Sequence, residues 1–360
     1  MSLATGLNTN SRASLASCQG KIYLANGFDS VKRWDGISAS LQDAGITGPT
    51  LVIGGPTGAA AGGLSAGDHL IRYRYKDTST GYVSNPSIAL TYTVAGGNGL
   101  LTFSIGAASN IRTTTDTKVD QYVIEATRVG GGTFYQLGVA ALGAASVVVG
   151  MSDDALAQQF NSDDAYGSAE DLETYRNEIP PLGTILLPYR GLMWVLGDKA
   201  YPLTAVTFTN GSAAVSGTGF NLRWAGYTIL DASGTVRYEI LSVASTIAMT
   251  LSRTYAGTTG AKSATVLAKF PNRGYWSNLF QPEQFFPTVN ARDFLANKSD
   301  QVVAAIGRKD GMYIFGRTNT ERLIYNADPS AAAGSVLSPI QGRRGAFNAR
   351  CIVDIEGEVY

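Results

Sequence analysis

The chain has 360 residues, of which 44% are hydrophobic and 16% are charged, a balance that argues against disorder and supplies cores for two or three domains. Lysine and arginine number 28, as do aspartate and glutamate, so no global field draws the chain to nucleic acid or a membrane surface. The 42 glycines, with many threonine, valine and tyrosine residues, favour strands and turns over helices.

A short glycine-led strand recurs along the chain. It reads GKIYL at 20–24, GLMWV at 191–195, GMYIF at 311–315 and GEVY at 357–360. Apolar segments precede the last three copies, and a strand, a tight turn at glycine and a second strand form a β-hairpin. The last spacing, 46 residues, is close to a propeller blade of roughly 40 to 45 residues. The first two spacings, 171 and 120 residues, predict an inserted domain in each interval.

The first repeat strands are predicted at 1–45, and the first insertion at 46–152. The insertion contains alternating segments such as HLIRYRYKD and LLTFSIG, and about seven short strands predict an antiparallel β-sandwich. In HLIRYRYKD, Tyr73 and Tyr75 are expected on the buried face, with Arg72 and Arg74 on the other. The connector GGPTGAAAGG lacks the Gly-Lys-Ser/Thr of a phosphate loop, so phosphate binding is disfavoured there.

Residues 153–203 are predicted to form a linker and further repeat strands. The pairs Asp153-Asp154 and Asp163-Asp164 lack ligand spacing, so a solvated linker is favoured over a cation or acid–base site. About five strands at 204–269 predict a small β-barrel, the second insertion. The repeat strands resume at 270–360, and because Tyr360 falls within a strand, we expect a truncated chain or a neighbour that completes the sheet.

The sequence contains few combinations of residues suited to catalysis. His69 is the single histidine, so Ser-His-Asp, Cys-His and multi-histidine metal sites are excluded unless it takes part, and a surface or hydrogen-bonded histidine is favoured. Glycoside hydrolysis needs only two carboxylates, for which Asp293, Glu321 and Asp354 are candidates without a distinguishing context. No catalytic, cofactor-binding or metal-binding residue is therefore assigned, no cofactor is expected, and the chain is predicted not to be an enzyme.

Aromatic residues near arginines offer a second possibility. The set consists of Trp276, Phe280, Phe285, Phe286, Arg273, Arg292, Arg343 and Arg344. Exposed, they would bind sugar or nucleic acid; buried, the aromatics would fill gaps between blades, which is the favoured interpretation. The arginines also suit pairing with carboxylates of a neighbouring subunit.

The two cysteines, Cys18 and Cys351, are too few for a disulfide scaffold; two reduced thiols are favoured, and pairing between them stays open. No apolar run reaches about 18 residues, so no membrane span is expected. The N-terminus lacks a basic start and an apolar stretch, so no secretion signal is expected.

Six segments in order carry a family resemblance: YLANGFDSVKRWDG, RYRYKDTSTGYVSNPS, NEIPPLGTILLPYRGLMWVLGD, YWSNLFQPEQFFPTVN, MYIFGRTNTERLIY and GAFNARCIVDIEGEVY. Together they resemble the nozzle, or packaged-DNA stabilisation, proteins of short-tailed bacteriophage tails. The resemblance implies a β-propeller carrying inserted β domains, the first similar to an immunoglobulin or fibronectin-type sandwich. It also implies a ring of six subunits below the portal and adaptor.

The resulting hypothesis is an all-β structural virion protein, assembled in the host cytoplasm, that forms part of the tail conduit. The resemblance implies that copies of the chain associate as a hexameric ring. The other expected partners are the portal, the adaptor, other tail proteins, and genomic DNA that passes without sequence-specific binding. Neutral net charge fits a wall past which DNA slides, because many phosphate contacts would hold it. The alternatives are a glycan- or receptor-binding module, with exposed Trp276 or Phe286 in a groove, and a glycosidase.

Overall fold

The computed structural model describes residues 7, 12–96, 99–159, 177–231, 236–295, 300–324, 336–340, 345–346, 352, 354–355 and 358–359. Across these residues the predicted all-β fold is confirmed, and the single helix is the four-residue segment Asp153–Leu156. No described helix combines the length and apolarity needed to cross a bilayer. The chain forms two compact units: Met1–Ala44 with Pro180–Pro282 and Pro287–Tyr360, and Gly45–Ile179 with Glu283–Phe286.

Three antiparallel sheets contain the glycine-led strands. The N-terminal sheet has the order Ser14–Cys18, Lys21–Ala25, Lys32–Trp34 and Gln42–Asp43. The central sheet has the order Ile185–Tyr189, Leu192–Leu196, Arg273–Asn278 and Gln281–Phe285, with Ala291–Asp293 paired to Arg273–Asn278. The C-terminal sheet has the order Ala304–Arg308, Gly311–Phe315, Thr320–Ile324 and Val336–Pro339. A short ladder pairs Asp354–Ile355 with Glu358–Val359, while Gly357 lies outside the described residues.

Turn geometry explains two of the hairpins. Gln19 and Gly20 have φ of 50° and 73°, and Arg190 and Gly191 have 51° and 78°. Two consecutive positive φ angles define the type I′ turn, whose twist matches that of the flanking strands. Glycine occupies the second position because it adopts this conformation without a steric cost. The turns fix the registers in which Ala16 faces Tyr23 and Leu187 faces Trp194.

The second unit contains a seven-stranded β-sandwich. One sheet has the order Phe134–Ala141, Gln121–Thr127, Gly67–Lys76 and Leu90–Val94. The other has the order Ser146–Val149, Leu100–Ser104 and Thr57–Ala60. Apolar residues of both sheets, including Ile71, Leu101, Phe103 and Ile124, form its core.

The prediction that Arg72 and Arg74 lie on an exposed face is wrong. Each arginine is only 1% exposed, and so is buried like Tyr73 on the opposite face. The Nε atoms of Arg72 and Arg74 lie 2.5 and 2.9 Å from the two carboxylate oxygens of Glu125, which is itself fully buried on the adjacent strand. A shared buried carboxylate therefore replaces water as the partner of both guanidinium groups.

The second insertion is a closed barrel of six strands, where the sequence predicts about five. Its order is Tyr201–Phe208, Ala214–Gly217, Ala248–Leu251, Arg237–Ser245, Thr228–Asp231 and Gly260–Leu267, the last pairing with the first. Buried aromatic side chains fill it; Phe208 stacks on Tyr255 with ring centroids 4.7 Å apart. Closure through Gly260–Leu267 leaves no free edge in the barrel.

Aromatic packing links the barrel to the N-terminal segment and also stabilises the central sheet. Phe28, which follows the N-terminal sheet's second strand, meets the rings of Tyr201 and Trp224 edge-on at 5.3 and 5.6 Å. In the central sheet, Trp194 and Trp276 are cross-strand neighbours with ring centroids 5.0 Å apart. Such aromatic pairs stabilise a fold by more than the burial of their surface alone would.

Candidate functional site: a cationic pocket at the root of the barrel

A pocket of about 160 Å³ lies where the chain enters and leaves the barrel. We call it the barrel-root pocket; it is lined by Pro181, Leu182, Asp198, Arg223, Ala225, Tyr227, Lys269, Phe270, Arg273 and Tyr275. Asp198 lies just after strand Leu192–Leu196, on the way into the barrel. Lys269 lies after the last barrel strand, Gly260–Leu267, and Arg273 begins the strand that resumes the central sheet.

Asp198 organises the pocket through the hydrogen bonds that its carboxylate accepts. Oδ1 accepts the backbone N–H of Lys199 and the hydroxyl of Tyr201, both at 2.8 Å. Oδ2 accepts the backbone N–H of Lys269 at 2.9 Å, and the hydroxyl of Tyr227 also hydrogen-bonds to the carboxylate. A carboxylate offers about four acceptor positions, so these donors satisfy Asp198.

Cations and aromatic rings form the remaining lining. The guanidinium of Arg273 lies 4.0 Å from the ring centroid of Phe270, and the ammonium of Lys269 lies 5.4 Å from the same centroid. The Nη1 of Arg223 donates to the backbone carbonyl of Pro180. Arg273 also forms a two-point ion pair with Asp293, from Nε to Oδ1 at 2.6 Å and from Nη2 to Oδ2 at 3.0 Å.

The tyrosines of the pocket are held in the protonated form. Burial, followed by the nearby Asp198 carboxylate, raises the pKa of Tyr227 well above its usual range. Burial also raises the pKa of Tyr275, against the lowering effect of Arg273. Both hydroxyls therefore remain hydrogen-bond donors at neutral pH, and the pocket contains no tyrosinate to repel an anion.

A larger cavity, of about 530 Å³, lies within the second unit. Its lining includes the buried arginine Arg72, the ring of Phe134, and Glu178. The Arg72 guanidinium carbon lies 3.8 Å from the Phe134 centroid, and Arg72 also pairs with Glu125. The arginine is therefore held by an ion pair and a cation–π contact within the sandwich.

His69 is a buried, hydrogen-bonded residue in the sandwich. It is 1% exposed; Nδ1 lies 2.8 Å from the Thr127 carbonyl oxygen and Nε2 lies 2.9 Å from that of Ser65. Both ring nitrogens are thus directed at backbone carbonyls. This places His69 in a structural role that ties two chain segments together.

The prediction that Asp153 and Asp154 lie in a solvated linker is wrong for Asp153. Its carboxylate is 7% exposed and accepts the backbone N–H groups of Ser65 and Val129 at 3.1 and 2.9 Å. Burial opposes ionisation, but these hydrogen bonds outweigh it and hold the pKa of Asp153 below its usual range. Asp154 has a 94% exposed side chain, and Asp163 and Asp164 lie outside the described residues.

The aromatic residues predicted as a possible binding set differ in their burial. Trp276 is 6% exposed and Phe285 is fully buried. Trp276 therefore does not line the exposed groove expected of a glycan-binding module. Phe286 is half-buried, whereas Phe280 is 66% exposed in the turn before strand Gln281–Phe285. Arg343 and Arg344 lie outside the described residues. Burial of the tryptophan favours the core-filling interpretation at that position.

The candidate carboxylates have structural partners. Asp293 pairs with Arg273, and Glu321 accepts the backbone N–H of Leu295 at 2.8 Å. Only the backbone of Asp354 is described. Within the described ranges, no group of three metal-ligating side chains could hold an ion. Cys18 is partly buried, which raises the pKa of its thiol, and Cys351 lies outside the described residues.

Sequence reasoning missed most of the barrel-root pocket. Asp198 and Lys269 flank the barrel in sequence, whereas Arg223 and Tyr227 lie between its strands Ala214–Gly217 and Thr228–Asp231, and nothing in their spacing links them. The available signal was the clustering of charged and aromatic residues at the two boundaries of the predicted insertion. Of the residues that line this pocket, the sequence alone indicates only Arg273 as a candidate.

Comparisons with known proteins assign no family to this chain. No protein-family model matches the sequence, and no curated protein is significantly similar to it. Among solved structures, a chain described as "Phage phi92 endosialidase" is similar at 12% sequence identity and a TM-score of 0.17, over 71% of this chain and 43% of that chain. A TM-score this low supports neither a fold assignment nor a function.

Proposed function

We propose that this chain is a structural component of a bacteriophage tail, and that it forms part of a nozzle or hub. The observation that carries the proposal is the arrangement of glycine-led hairpins in successive antiparallel sheets, interrupted by a sandwich and a barrel. The order of the six quoted segments supports the same assignment, because it resembles that of nozzle proteins. The sheets of the first unit would form the scaffold, and the inserted domains would supply surfaces for assembly.

The proposed mechanism is mechanical. Copies of the chain associate in a ring, expected to contain six subunits, and the ring lines the conduit that retains and releases DNA. The equal numbers of acidic and basic residues, 28 each, suit such a wall. Each phosphate neutralised by lysine or arginine would strengthen the hold on DNA and steepen its salt dependence, so a conduit favours few such contacts.

Native mass spectrometry of the purified protein, together with protein identification in purified particles, tests this proposal. We expect a closed oligomer, and we expect the chain in the virion as a tail component. A protein that stays monomeric over a wide concentration range, and that is missing from particles, would contradict the proposal.

A DNA-binding titration tests the conduit function separately. We expect weak binding of duplex DNA with a shallow dependence on salt, because the chain carries no excess of basic residues. Tight binding with a steep salt dependence would show a DNA-holding surface and contradict the sliding wall.

A further inference from the structure

The barrel-root pocket has an excess of positive charge. Three cations line it, Arg223, Lys269 and Arg273, against one lining carboxylate, Asp198. Even when Asp293, the ion-pair partner of Arg273, is included, the cations outnumber the carboxylates. Apolar walls from Phe270 and Leu182 lower the local dielectric, which strengthens the attraction of this site for a negative charge.

The carboxylates are already engaged, which disfavours a cationic ligand. Asp198 accepts four hydrogen bonds from within the protein, and Asp293 is bound at two points by Arg273. A bound cation would have to displace one of these donors, and the displaced buried donor would lose its partner. The carboxylate oxygens of Asp198 and Asp293 are therefore already occupied by hydrogen bonds within the protein.

The Lys269 ammonium is the donor best placed for a ligand. Its Nζ lies over the aromatic rings of Tyr227 and Phe270, at 5.8 and 5.4 Å from their centroids. Gly226 makes room for this ammonium: a Cβ at that position would lie 2.6 Å from Nζ. An ammonium has three N–H donors, and because Lys269 is an exposed residue of the pocket lining, these donors are accessible to a ligand from solvent.

We propose that the barrel-root pocket binds a compact oxyanion, the carboxylate of an acidic saccharide or a phosphate group, with Lys269 as its principal contact. Arg223 and Arg273 add positive charge to the lining, and the rings of Tyr227, Phe270 and Tyr275 form further parts of its wall. Every residue that forms the site belongs to the first unit. The charges and contacts of these residues carry the proposal, and the tail assignment is not among its premises.

The volume sets the size of the ligand. About 160 Å³ is below the roughly 300 to 1,000 Å³ typical of sites for drug-sized molecules. The pocket therefore accommodates one sugar ring or one phosphate group, and a longer ligand would extend into solvent past the exposed Lys269.

Isothermal titration calorimetry on the full chain at low ionic strength tests the proposal. The probes are sodium glucuronate, its neutral counterpart glucose, and inorganic phosphate. The test variant is Lys269→Gln, which removes the charge and keeps the backbone N–H that Asp198 accepts. The matched control is Lys309→Gln, because Lys309 is also an exposed lysine of the first unit and lies at a hairpin turn away from the pocket.

We expect millimolar or tighter binding of at least one anion, no binding of glucose, and a Kd about tenfold or more higher in Lys269→Gln, as loss of a charged hydrogen bond predicts. Lys309→Gln should leave the Kd unchanged. Binding of glucuronate alone would assign the site to acidic saccharides, and binding of phosphate alone would assign it to phosphate groups. Absence of binding by both anions, or equal Kd values in the wild type and a folded Lys269→Gln, would overturn the proposal.

Discussion

The Asp198 carboxylate accepts the backbone N–H of Lys269 across 71 positions of sequence, at 2.9 Å. These residues lie on the incoming and outgoing segments of the barrel, so a single side chain ties both segments together. The same carboxylate also accepts the Tyr201 hydroxyl on the first barrel strand. Asp198 therefore connects the segment that enters the barrel to the segment that leaves it.

Replacing Asp198 with asparagine should destabilise the first unit. The amide keeps the shape but presents two N–H groups where the carboxylate accepted donors, so we expect a loss of roughly 2 to 3 kcal/mol in the free energy of unfolding. The four tryptophans, Trp34, Trp194, Trp224 and Trp276, all lie in the first unit, so tryptophan fluorescence during urea denaturation reports on that unit. Glu239→Gln is the control, because it makes the same change of carboxylate to amide at an exposed position of the first unit. A loss no greater than in this control would contradict the assignment.

Removing Glu125 should disrupt the sandwich. Glu125→Ala leaves Arg72 and Arg74 buried without their shared carboxylate, and we expect a cost of about 3 to 5 kcal/mol, the range for breaking a buried ion pair. Amide hydrogen exchange in strands Gly67–Lys76 and Gln121–Thr127 measures this destabilisation as a loss of protection. Asp154→Ala, which removes a carboxylate with a 94% exposed side chain from the same unit, serves as the control. Unchanged protection in Glu125→Ala would show that the ion pairs do not stabilise these strands.

Two aromatic substitutions in the central sheet should differ sharply. Trp276→Ala removes a 6% exposed ring that packs on Trp194, and we expect a loss of about 3 to 5 kcal/mol. Phe280→Ala removes a 66% exposed ring, and the expected change is within about 0.5 kcal/mol. Thermal and urea denaturation measure both. Comparable losses would mean that Phe280 is covered in solution.

The Asp300 carboxylate should make stability depend on acid pH. Burial opposes its ionisation, but the N–H groups of Thr318 and Arg317 and the side chains of Thr318 and Asn319 outweigh it and lower the pKa to about 2. Because the folded pKa lies below the ordinary value of 3.8, the stabilisation is present above that value and is lost as the pH falls towards 2. The Tm should therefore fall less steeply between about pH 5 and pH 2 in Asp300→Asn than in the wild type. Parallel Tm profiles would contradict the assignment.

Much of the fold follows from local sequence signals. Gly20 and Gly191 mark their hairpins because only a residue tolerant of positive φ suits the second turn position. The alternating pattern also located Tyr73 on a buried face. The same pattern failed for Arg72 and Arg74, because period-two alternation cannot reveal that Glu125, on the neighbouring strand, would offer both arginines a buried partner.

The barrel-root pocket shows why sites are harder to predict than elements. Its organising contact joins Asp198 to a backbone amide far along the chain, and a backbone amide has no sequence signature. Asp153 illustrates the same difficulty: it resembles a linker residue in sequence, yet it accepts backbone N–H groups from two other segments. Such carboxylates become identifiable only when the fold has brought their donors together.

The pairing of Trp194 with Trp276 and of Leu196 with Gly274 has a consequence for how this protein can be altered. Directly paired residues of antiparallel strands lie roughly 5 Å apart, a gap that a turn of a few residues closes. Topologically, the whole barrel therefore occupies the place of one loop. A gene in which a short linker replaces residues 199–271 would keep the central sheet's strand order, and other domains with adjacent termini could be exchanged at the same position.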